Sequence, residues 1–88
     1  MKYELIKTDI SPERTIMQDI LDGNENIIGQ EPTDEYEVVI TIGIHPTDGV
    51  APDFSKDIIV TSNNSQTGFE VDIQRQQEIE NYLNLINQ

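Results

Sequence analysis

Residues 31 to 62 read EPTDEYEVVITIGIHPTDGVAPDFSKDIIVTS. Tyr36, Val38, Ile40, Ile42 and Ile44 recur at every second position, while Glu37, Thr41 and His45 occupy the alternate positions with Val39. A period of two puts alternate side chains on opposite sides of a pleated strand, so this run is a strand with one apolar face. The β-branched residues that fill it suit that conformation. HPTDGVAPD, at 45 to 53, then breaks the pattern with two prolines and a glycine and reads as a long hairpin connection. Phe54, Ile58 and Val60 share the next face, which predicts a second strand over 54–61, antiparallel to the first.

The flanks supply the remaining elements. Residues 2–8, KYELIKT, alternate as a short opening strand. Ser11-Pro12-Glu13 has the form of a helix start: an N-cap, a proline at the first helical position and an acid at the positive end of the dipole. Ile16, Met17, Ile20 and Leu21 fit one helical face and Gly23 fits a C-terminal cap, so a helix is expected over 12–22. Residues 23–34, GNENIIGQEPTD, read as a loop.

Beyond Ser62, NNSQTG reads as a turn, and Phe69, Val71 and Ile73 alternate as a short third meander strand. Ile79, Tyr82, Leu83 and Ile86 follow helical spacing on a closing helix over 74–87. The expected order is β-α-β-β-β-α in a single two-layer α+β domain, an antiparallel β-sheet with a short N-terminal helix and a C-terminal helix. Its expected core is Val38, Ile40, Ile42, Ile58 and Val60 from the sheet with Ile79, Leu83 and Ile86 from the last helix.

Composition narrows the function. The chain has 88 residues, and a domain of that size buries roughly 60–65% of its unfolded surface, a thin single core. With no cysteine there is no disulfide framework and no thiolate metal site, which fits a reducing cytoplasm. MKYELIKTDI is too short and polar for a secretory signal, and no apolar run approaches the roughly 20 residues of a membrane span. Seventeen acids against five bases give a net charge of −12, a surface that repels nucleic acid and anionic membranes.

Catalytic and cofactor signals are weak. His45 is the only histidine, and neither a serine in a nucleophile-like context nor a cysteine accompanies it, so it reads as a turn or surface residue. Asp22-Gly-Asn-Glu-Asn26 superficially opens a calcium loop. The sixth position is Ile27 rather than glycine, however, and the twelfth is Thr33 rather than a bidentate glutamate. Neither a zinc constellation nor a glycine-rich phosphate cradle is present. The expectation is therefore a protein without catalytic residues, metal or cofactor.

What remains is surface charge. Between Arg14 and Lys56 lie 41 residues with no lysine or arginine and nine acids. A solubilising surface intersperses both signs, whereas a field of one sign suits the steering of a basic partner. The candidate contact is the dense group Glu31, Asp34, Glu35 and Glu37, with Asp48 and Asp53 as a second edge. Tyr36, inside that group, is either an aromatic anchor or part of the core face.

The order of these features resembles one of the small immunity-protein families of bacterial polymorphic toxin systems. The resemblance is carried by the opening M-K-x-E-L strand, by S-P-E and by P-T-D-E-Y-E-V-V-I-T-I-G-I. A glycine-bearing turn and D-F-S-K-D-I-I-V-T-S complete it, so that it spans residues 1–62. It implies a cytoplasmic protein that binds and neutralises a toxin, and it assigns no site residue. Two further readings fit the composition: a phage-encoded anti-defence inhibitor (anti-CRISPR or antirestriction) that mimics DNA before a nuclease, and a structural or assembly module whose charge only solubilises it.

Overall fold

The computed structural model describes residues 2–49 and 51–88. Among the described residues, four strands and one helix follow one another: β1 (Tyr3–Ile10), β2 (Arg14–Leu21), β3 (Ile27–Pro46), β4 (Phe54–Asn63) and α1 (Gly68–Ile86). The class is α+β, an antiparallel sheet with a C-terminal helix, but the order is β-β-β-β-α.

Everything is organised by β3. Its C-terminal half pairs with β1, from Tyr3 opposite Pro46 to Ile10 opposite Ile40, and its N-terminal half pairs with β2, from Arg14 opposite Glu37 to Leu21 opposite Ile27. β4 takes the other edge, with Glu35 opposite Asn63 and Ile44 opposite Phe54. Where β1 gives way to β2, Ser11 joins the sheet: its N–H donates to the Val39 carbonyl at 3.0 Å and its hydroxyl accepts from the Val39 N–H at 2.8 Å. Ser11 thus caps a strand junction and not a helix.

The expected helix over 12–22 is strand β2. Ile16, Met17, Ile20 and Leu21 fit either period, but a strand splits them, sending Ile16 and Ile20 to one face and Met17 and Leu21 to the other. The decisive element is a partner strand inside what reads as a loop, since residues 27–34 extend β3 and pair with β2. Asp22 builds the hairpin turn: its carboxylate accepts the N–H of Asn24 at 2.8 Å and of Asn26 at 3.0 Å. The left-handed residue of that turn is Glu25, with φ of 64°, and not Gly23, which leaves the capping role expected of Gly23 unfilled.

The third expected strand, at 69–73, is the first turn of α1. Thr67 and Glu70 form a capping box: the Thr67 hydroxyl accepts from the Glu70 N–H at 3.1 Å and the Glu70 carboxylate accepts from the Thr67 N–H at 3.3 Å. Val71, Ile79, Leu83 and Ile86 then share one side of the helix, with Arg75 between Val71 and Ile79, and Val71 is 5% exposed.

That stripe covers one face of the sheet. Val38, Ile40, Ile42 and Ile44 are at most 2% exposed and form the core with Val60 and Ile79, flanked by Tyr3, Ile58, Tyr82, Leu83 and Ile86. All eight residues expected in the core lie in this cluster or against it. Tyr36 continues the same face, in phase with Val38.

Polar clamps hold α1 in place at both ends. Near its start, Gln74 donates to the Thr61 carbonyl at 2.6 Å and accepts from the buried Ser62 hydroxyl at 2.9 Å. At its end, the Asn87 side chain accepts from the Tyr3 N–H at 2.7 Å and donates to the Tyr3 carbonyl at 3.2 Å. Among the described residues, no helix is long and apolar enough to cross a membrane.

The helix stops short of half the sheet. Among the described residues, α1 packs on β4 and β1, whereas β2 packs on β3 alone. β2 and the first half of β3 therefore project as a two-stranded ribbon. The radius of gyration is 17.7 Å, against about 12 Å for a compact chain of this length, and the longest dimension is 59 Å.

Candidate functional site: an acidic open face and ribbon

Among the described residues, the face of the sheet opposite α1 has no covering layer, and strand alternation decides what it presents. In β3 that face carries Glu35, Glu37, Val39, Thr41, Gly43 and His45. Register then adds neighbours: Asp9 and Asp57 flank Thr41 from the two sides, and Glu4 lies beside His45. The Thr41 hydroxyl donates to the Asp57 carboxylate at 2.8 Å. On the ribbon, Arg14 and Gln18 share a side of β2 with their partners Glu37 and Glu31, and the Gln18 amide donates to Glu31 at 2.6 Å.

The six expected contact residues divide into two groups. Glu31, Asp34, Glu35 and Glu37 lie along the ribbon and its base; Glu31, Glu35 and Glu37 fall on the open face and Asp34 on the other. Asp48 and Asp53 lie in the connection between β3 and β4, at the opposite end of the sheet. Nine residue steps of about 3.3 Å lead from Glu37 to Pro46, so the two groups stand about 30 Å apart. One flat contact through the ribbon excludes the second edge unless it spans the whole face.

The intervening acids, Glu4, Asp9 and Asp57, are the residues that sequence reasoning missed. All three sit outside the base-free interval, and only the register of β1 and β4 on β3 brings them to one surface. Several of the few cations are engaged within the chain itself. Lys7 lies 3.3 Å from Asp9, the Arg75 guanidinium lies 3.7 Å from Glu13, and the Lys56 ammonium stands 5.6 Å from the Tyr82 ring centre. These contacts leave the outward field predominantly negative.

His45, one residue before the end of β3, has its Nδ1 2.6 Å from the Asp53 carboxylate. That hydrogen bond, against an opposing effect of desolvation and with help from the charges of Asp53 and Glu4, raises the histidine above its ordinary value. The protonated pair stabilises the loop at low pH, and the contribution is lost as pH rises through the raised value. Both side chains are about half exposed (48% and 56%), so solvent screens the pair. Replacing Asp53 by Asn should bring the His45 titration, followed by NMR, back toward the ordinary histidine value. His45→Ala should leave partner binding intact, because the ring serves the loop.

Asp22 is held below its ordinary value by the backbone N–H groups of Asn26 and Asn24. Its oxygens serve the hairpin turn. The chain matches no protein-family model, and no curated protein or solved structure matches it.

Proposed function

We propose that this chain is a non-catalytic binding protein that neutralises a bacterial toxin by covering a basic surface on it, as an immunity protein does. The observation that carries the reading is the uncovered acidic face. Glu4, Asp9, Glu31, Glu35, Glu37 and Asp57 lie on one side of a single sheet, within a chain of net charge −12. Carboxylates arranged this way accept bidentate bonds from arginine and accelerate the approach of a basic partner. The class of partner, a toxin, comes from the resemblance of residues 1–62 to immunity proteins.

The elongated shape gives the nuclease-inhibitor reading some support, and charge density weighs against it. A B-DNA segment 59 Å long carries about 35 phosphate charges at one per 1.7 Å. This chain has 17 acids in that length, about half as many before its bases are subtracted. Mimicry of a duplex is thus the second reading.

The test is a pull-down with the products of neighbouring genes at low and at high salt. A basic protein retained at low salt and released at high salt is the expected result. A partner that is not basic, or one indifferent to salt, contradicts it. A toxin gene immediately upstream favours immunity, whereas a phage early region favours anti-defence.

A further inference from the structure

We infer that the outer edge of β2 is the docking element of this protein, and that a basic, extended segment of the partner adds to it as a further strand. The inference rests on the reading of the chain as an acidic binding protein and names the place where that binding occurs. An isolated two-stranded ribbon is marginal in water; three strands, or a covered face, are needed for independent stability. Here Met17 (46%), Leu21 (54%), Ile27 (64%) and Ile28 (65%) are exposed on such a ribbon. A third strand supplies what the ribbon lacks.

The two edges of the ribbon are unequal. On the β3 side, Pro32 has no N–H to offer, and the Asp34 carbonyl is taken by the Asn64 N–H at 2.8 Å. Proline on an edge is a device that blocks strand addition. The β2 side, RTIMQDIL, carries neither proline nor lysine over eight residues. That edge is the open template.

Charge selects the occupant. Residues 14–37 hold seven carboxylates (Asp19, Asp22, Glu25, Glu31, Asp34, Glu35 and Glu37), with Arg14 the only lysine or arginine. A second copy of the chain would bring the same surplus of negative charge to the contact. A strand alternating basic and apolar side chains matches both features of the edge: apolar contact with Ile16, Met17, Ile20 and Leu21, and carboxylates within reach on either face.

The probe is a short synthetic peptide alternating Lys and Val, added to the isotopically labelled full chain and read by amide hydrogen exchange and chemical shifts. Exchange roughly tenfold or more slower at β2 amides, with little change at the free edges of β1 and β4, is the expected result. Protection centred on β1 or β4, or none at all, overturns the inference. So does a dimer in sedimentation whose β2 amides are already protected without peptide, since the second copy would then be the occupant.

The double variant Ile16→Lys, Ile20→Lys should abolish the β2 protection while the amides of α1 and the core stay unchanged. Salt separates the two proposals. Protection on β2 that persists at high salt sustains the docking edge and sinks the charge reading. Salt-sensitive binding away from β2 sinks the edge and sustains the charge reading.

Discussion

Replacing Ile40 by aspartate leaves this chain without a cooperative folding transition. Ile40 is 0% exposed, lies between Ile10 and Ile58 on the two neighbouring strands, and belongs to the core under α1. A carboxylate there is set among the apolar side chains of the core, and an uncompensated polar group in an apolar site costs several kcal/mol. Domains of this kind have about 5–15 kcal/mol in total, and one this short lies toward the bottom of that range. Ile59→Asp is the control: Ile59 is 63% exposed on the open face, and its replacement should shift stability by about 0.5 kcal/mol or less. Urea melts followed by circular dichroism make the comparison. A parent-like transition for the Ile40 variant would show that the buried face has been misassigned.

The second large effect is kinetic. Reversing Glu31 and Glu35 to lysine should slow association with the basic partner by roughly tenfold or more, because both carboxylates stand on the open face beside the ribbon. Folding should barely change, since exposed charges contribute little to stability. Net charge alone does not account for such a loss. Asp72→Lys with Glu80→Lys changes the total charge equally, but on exposed positions of α1, and should slow association much less. Equal slowing in both variants would mean that the whole molecule steers and that no face is special.

The strands beside the core were readable from sequence because burial imposes a pattern. Val38 through Ile44 and Ile58 with Val60 alternate since α1 covers one side of them; the five core residues of the sheet follow from that period, and Ile79, Leu83 and Ile86 from helical spacing. The ribbon has no such signal. Among the described residues neither of its faces is fully buried, with Ile16 and Ile20 only half-buried, so Ile16, Met17, Ile20 and Leu21 are not restricted to one side and fit a helix equally well. Gly29, Pro32 and the acids of residues 27–34 look like a loop until a partner strand is placed beside them.

The start of α1 is a different case. Thr67 and Glu70 stand at capping-box spacing in the sequence, a helix signal that the reading of Phe69, Val71 and Ile73 as an alternating strand left unused. The candidate site was readable in part. Glu31, Glu35 and Glu37 come from a local run, whereas Glu4, Asp9 and Asp57 join them only through the register of β1 and β4 on β3. Asp48 and Asp53 look adjacent to the run in sequence, but β3 carries the chain the length of the sheet before reaching them.

The central claim is that an acidic face captures a basic surface. Its most direct test is the association rate with the partner recovered from the pull-down, measured by stopped flow between low and physiological salt. The account predicts a rate that falls steeply as the screening length shortens toward about 8 Å, with most of that salt dependence removed in the Glu31→Lys, Glu35→Lys variant. An association rate independent of salt, or the same salt dependence in the variant as in the parent, would contradict it.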